Sequence, residues 1–200
     1  MTNLLARRLQ HPAGKAGLLA LAASLGLLAA CARQGVIYHS YPYLAGTAIY
    51  VDHVAGSRLP TIIRGNPSNL DKADFDRIVR DDIYGANFGR PITFVPGPDR
   101  APWPGYRVIM VFNGPAAGYS GLCSDEVPGG GGPAPDGRIE LLAAFCSGDR
   151  PVTSLAGGIA ELTDPNDPRL RAFLRHVSLT LFSRNNPDDR PDRGVNVPIP

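Results

Sequence analysis

Cysteine and histidine are the residue types in this 200-residue chain best suited to chemistry, together with one run of glycines. Cys31 closes an uncharged stretch, while Cys123 and Cys146 stand apart from it in the second half of the chain. His39, His53 and His176 belong to no HxH, HExxH or His-x-Cys pattern, so each reads as a surface or satisfied core residue rather than a metal ligand. His53 follows Asp52 directly, and on a strand such neighbours point to opposite faces, where they cannot serve as a base and its orienter. The run Gly129-Gly130-Gly131-Gly132 has no Lys-Ser/Thr after it and opens no helix, so it reads as a loop and not a phosphate cradle. Gly118-Tyr119-Ser120-Gly121 is one residue short of a nucleophile elbow and reads as a turn. Arg169, Arg171 and Arg175 surround His176 on a basic helix face, which suits solvent first and a phosphate or acidic partner second. Asp164, Asn166 and Asp167 have oxygen-ligand character but lack the rest of a calcium loop. No catalytic, cofactor-binding or metal-binding residue is assigned on this basis.

The segment ahead of Cys31 has a different logic. Arg7, Arg8 and Lys15 precede the uncharged stretch from Ala16 to Ala32, whose hydrophobicity comes from Leu18, Leu19, Leu21, Leu25, Leu27 and Leu28. Basic residues, a short apolar run and small residues before a cut form the layout of a secretory signal peptide. At about 17 residues the run is at the lower limit for a membrane-spanning helix, so a permanent span is second choice.

Removal of residues 1–30 takes Arg7, Arg8 and Lys15 with it and leaves 17 basic against 18 acidic side chains, a net of −1. That balance gives no general basic field and therefore no expectation of nucleic acid. Cys123 and Cys146 are then an even pair in an exported domain, which predicts a disulfide in preference to two separate buried thiols or a metal site.

The rest of the chain must position these residues. Residues 31–46, with Tyr38, His39, Tyr41 and Tyr43, read as a tether packing on its own domain, with a place at the headgroup level as the alternative. Thr47 to Val54 alternates and predicts a strand, as does the β-branched run from Leu59 to Arg64. Asp71 predicts an N-cap for a helix carrying Phe75, Ile78, Val79 and Ile83, with Gly85 as its stop. Pro91 to Val95 and Arg138 to Cys146 predict strands, and Tyr106 to Phe112, apolar on both faces after Arg107, predicts a central one. Val152 to Ala160 completes a hairpin with a bulge expected at Gly157-Gly158. Residues 113–137 read as one long loop. Asp167-Pro168 opens a last helix with the stripe Leu170, Phe173, Leu174, Val177 and Leu181, and residues 185–200 read as a mobile polar tail. The predicted fold is a single α+β domain over residues 47–184. It has two layers, a largely antiparallel sheet of four to six strands with two helices on one face.

Leu28-Ala29-Ala30-Cys31 resembles the lipobox of bacterial lipoprotein precursors. The resemblance implies cleavage before Cys31, diacylglycerol on its thiol and acylation, as with palmitate, of the new amino terminus. It places the protein on a cell membrane facing the periplasm or cell exterior, and Ala32 in place of Asp favours the outer membrane in a Gram-negative cell. Arg64-Gly65-Asn66-Pro67, Val111-Phe112-Asn113, Leu122-Cys123 and Ala144-Phe145-Cys146 are similar to a group of small bacterial envelope lipoproteins. That likeness implies the anchor and the cysteine pair but no activity. The expected role is a non-enzymatic binding or envelope-assembly module with an envelope protein as partner. The alternative is a periplasmic hydrolase or ligand-modifying enzyme built from the 113–137 loop, Asp52, His53 or the Arg-rich helix.

Overall fold

A computed structural model describes residues 35–42, 46–97, 105–115, 121–124, 129–162 and 164–185. The expected signal segment, lipobox and Cys31 lie outside these residues, as do Gly118-Tyr119-Ser120 and residues 186–200 of the tail. In chain order the elements are β1 (Val36–Pro42), α1 (Thr47–Val54), β2 (Arg58–Arg64), α2 (Lys72–Ile83), β3 (Thr93–Pro96), β4 (Tyr106–Phe112), β5 (Ile139–Ser147), β6 (Arg150–Ile159) and α3 (Pro168–Leu181). The fold is α+β. One open six-stranded sheet has the order β1-β6-β5-β4-β2-β3. The pairs from β1 to β4 are antiparallel, whereas β2 runs parallel to both β4 and β3.

Side-chain alternation splits the sheet into two unequal faces. Leu59, Ile63, Val108, Met110, Phe112, Leu141 and Phe145 point to the face on which the apolar stripes of all three helices join one large core. Ile62, Ile109, Val111, Ala144 and Cys146 point the other way and meet Leu122 and Cys123 in a second, smaller cluster. Both faces of β4 are thus buried, as its apolar run requires of a strand with neighbours on each side and cover above and below.

Two expectations are corrected. Residues 36–42 are not a tether but edge strand β1, antiparallel to β6. Thr47–Val54 is a helix, because its buried residues are Thr47, Val51 and Val54, a spacing of one helical face. The alternation of Ile49, Val51 and His53 is coincidental to that face, and Ile49 is left in solvent. The bulge expected at Gly157-Gly158 is absent from the β5–β6 hairpin, whose register shifts between Phe145 and Cys146 instead; opposite the glycines, β1 shifts between Ile37 and His39. The two glycines leave room for neighbours on opposite faces. A Cβ at Gly157 would crowd the Phe173 ring, and one at Gly158 would collide with the Tyr38 hydroxyl, which donates to Glu140.

The ends of α2 and α3 fall where their signals predict, with Asp71 at the N-cap position of α2 but making no side-chain cap hydrogen bond. Gly85, at φ 65°, follows the end of α2 in the left-handed conformation. Asp167 caps α3 by accepting from the Arg169 N–H at 2.8 Å, with Pro168 in the first turn. The Arg169 guanidinium and backbone N–H both favour the charged Asp167 carboxylate and lower its pKa. A group whose pKa falls on folding contributes stability above its unfolded pKa, and that contribution is lost as pH drops through the folded value. Asp167→Ala should therefore cost about 1 kcal/mol near neutral pH. The difference from the parent should shrink as the carboxylate protonates in acid, measured by urea unfolding across pH.

Candidate functional site

The C-terminal ends of β2 and β4 are tied together by main chain. Past Arg64 the chain turns at Gly65, at φ 79°, and the Gly130-Gly131 backbone lies directly over it. Asn66 N–H donates to the Gly131 carbonyl at 2.9 Å, and Gly131 N–H donates to the Phe112 carbonyl at 2.9 Å. A Cβ at Gly130 would collide with the Gly65 backbone, and one at Gly131 with the Asn113 carbonyl. These glycines serve the close approach of two backbones, so this part of the expected loop is a structured strap. Gly130→Ala should destabilise the fold by roughly 1–3 kcal/mol through overpacking, read as a lower urea midpoint.

Asn113 fastens the strap. It sits at φ 48°, a region that asparagine tolerates better than most side chains. Its Nδ2 donates to the Gly132 carbonyl at 2.8 Å and its Oδ1 accepts from Glu140 N–H at 2.8 Å. Asn66 holds the facing turn, donating to the Leu70 carbonyl at 2.6 Å and accepting from Ser68 N–H at 3.1 Å. Arg64-Gly65-Asn66 and Phe112-Asn113, separate in sequence, thus share one structural knot.

Beside this knot opens a cleft of about 470 Å³, lined by residues 61–64 of β2 and the following Gly65, by Pro96 and Gly97, and by Lys72, Asp76 and Arg80 of α2. Its position follows from topology. The chain leaves β2 through α2 to reach β3 on one side, and β4 then pairs with β2 on the other. The cleft sits at the carboxyl ends of the parallel strands β2 and β3, with α2 along one wall. Lys72, Asp76 and Arg80 recur every four residues and share a helix face. Lys72 Nζ donates to the Ile63 carbonyl at 3.0 Å and pairs with Asp76 at 2.5 Å. With Arg64, the cleft carries three cationic side chains against one carboxylate. Sequence reasoning missed this site, although the Lys72-Asp76-Arg80 spacing behind an Arg-terminated strand was its available signal.

No protein-family model matches this chain, and comparison with curated proteins finds no match. Among solved structures the chain is similar to the PelC dodecamer from Paraburkholderia phytofirmans. A leucine-to-methionine variant is 11% identical with a TM-score of 0.36, over 75% of this chain and 95% of that chain. A second crystal form is 10% identical with a TM-score of 0.36, over 75% and 96% respectively.

The other sequence candidates are dispersed. Asp52 and His53 both lie exposed on α1 and have different partners. Asp52 pairs with Arg184 at 2.9 Å, and the His53 ring lies 5.1 Å from that of Tyr106. On α3, Arg169 is committed to Asp167 at 2.7 Å and Arg171 to the buried Asp82 at 2.8 Å. His176 lines a separate cavity of about 340 Å³ with Tyr41, Phe88 and Leu179. His39 lies between tyrosines on β1, stacked on Tyr41 at 6.1 Å. Asp164 accepts from Asn166 N–H at 2.8 Å, which makes it part of the turn before α3. Among the described residues no group of three or more His, Cys, Asp or Glu side chains is placed to hold a metal ion.

Cys123 and Cys146 are bonded, with their Cα atoms 5.7 Å apart. Arg107, the register partner of Cys146, is buried beneath this bridge and donates from Nη2 to the Cys123 carbonyl at 2.5 Å. One guanidinium therefore links the disulfide segment to the central strand.

Proposed function

We propose that this chain is a lipid-anchored envelope protein whose folded domain is a binding or envelope-assembly module. Leu28-Ala29-Ala30-Cys31, behind a basic and then apolar segment, is the observation that carries the anchor. The Cys123–Cys146 bridge supports export, because such bonds form and persist in oxidising compartments. Among the described residues no helix is long and apolar enough to cross a membrane, and the lipid on Cys31 is the proposed attachment. The domain then faces the periplasm or the cell exterior, with the outer membrane favoured by Ala32 in a Gram-negative cell.

The binding role draws on the cleft at the ends of β2 and β3. Its excess of cations suits an anionic group on an envelope protein or polymer. A photoreactive residue at position 80 tests this in growing cells. It should repeatedly capture one envelope component, and Lys72→Glu, which reverses a charge in the cleft, should abolish the capture. Failure to capture anything, or capture indifferent to Lys72→Glu, would overturn the role assigned to the cleft.

A further inference from the structure

We propose that edge strand β1 and the exposed apolar side chains around it form a membrane-docking surface, which seats the domain on the bilayer that holds Cys31. This inference rests on the lipid anchor proposed above. The length of chain between anchor and fold decides the geometry. Gly35 is already packed against the Phe173 ring, where a Cβ would have no room. Only four Cα steps separate it from Cys31, a reach of at most about 14 Å. A domain of this size is roughly 35–40 Å across, so its far side cannot turn toward the lipid. The start of β1, where Gly35 packs on Phe173, is therefore held near the lipid.

The surface around β1 carries the chemistry a headgroup layer accepts. Seven large apolar side chains are exposed among the described residues, and six of them lie on β1, on α1 or around the cavity bordering them. Val36 and Tyr38 on β1 are 54% and 48% exposed, and Ile49, early in α1, is 74% exposed. Tyr41 and Phe88 line one cavity together with Thr47 of α1, which joins the strand edge to the helix in a single patch. Tyrosine rings with an apolar body and polar tip are favoured at the membrane–water interface. Docking would also shield the open edge of β1, which otherwise invites pairing with another strand.

The test uses the lipidated mature protein in vesicles of phosphatidylethanolamine and phosphatidylglycerol. Nitroxide labels are placed at Ile49→Cys and Phe88→Cys, with Asp74→Cys on the exposed face of α2 as reference. Collision with oxygen relative to a water-soluble nickel chelate should be several-fold higher at positions 49 and 88 than at 74. Equal accessibility at all three positions in vesicle-bound protein would overturn the docking surface and leave the anchor standing. Spin–spin broadening at 49 and 88 that persists in detergent would overturn it in favour of a second copy of the chain on this edge. Protein that carries no acyl chain and does not float with the vesicles would remove the anchor and the docking surface together.

Discussion

Cys31→Ser should give a protein that incorporates no labelled fatty acid and accumulates at precursor length. The effect is expected to be complete rather than graded. The thiol is the acceptor for diacylglycerol in the proposed pathway, and cleavage before residue 31 follows that transfer. Three acyl chains hold a protein on a membrane firmly where one gives only marginal binding, so the mature parent should resist extraction by salt. Metabolic labelling and electrophoretic mobility check both points. Continued labelling of the serine variant would refute the lipobox, and normal cleavage without labelling would indicate an ordinary signal peptide. Loss of the anchor should not unfold the domain, since none of its described contacts depends on Cys31.

Loss of the disulfide should have the largest effect on the fold itself. The bridge joins residues 23 apart, and the chain-entropy argument assigns roughly 3 kcal/mol to a closed loop of that size. For a domain of this length that corresponds to a fall of about 6–12 °C in Tm. Its position makes the loss more than entropic. Leu122 and Cys123 seal the smaller core over Ile62, Ile109 and Val111, and the Cys123 carbonyl accepts from buried Arg107. Freed of the bridge, that segment would expose apolar surface and leave part of the guanidinium's hydrogen bonding unmade. Cys123→Ala with Cys146→Ala, or the parent in reductant, should show the shift by thermal and urea unfolding. Exported protein with two titratable thiols, or equal midpoints with and without reductant, would overturn the assignment.

Local signals were legible where the residue and its role are neighbours. Asp167-Pro168 marks the start of α3, and every member of the stripe Leu170, Phe173, Leu174, Val177 and Leu181 is buried. Tyr106–Phe112, apolar on both faces, is the sheet's doubly covered inner strand. Short segments were less legible. Over eight residues Thr47–Val54 fits both a two-residue and a 3.6-residue period, and burial against β6 and the helical layer resolves the choice. Residues 36–42 looked like a tether because nothing in Val36 to Pro42 announces the strand beside them. Pairing to β6 is a long-range decision, made possible by two glycines that admit Tyr38 and Phe173 on opposite faces.

Taken alone, the sequence determined the composition of the folded domain, the α+β class, the last helix and its cap, and the pairing of Cys123 with Cys146. These depend on local propensity, on periodicity and on the number of cysteines, all of which are readable along one chain. Only tertiary structure decided that β2 runs parallel to β3 and β4, so that Lys72, Asp76, Arg80 and Arg64 converge on one cleft. It alone placed the glycine strap over Gly65, Arg107 beneath the disulfide and β1 at the open edge beside β6. Each of these depends on which distant segments meet, and the energy of that meeting comes from burying two faces of one sheet at once.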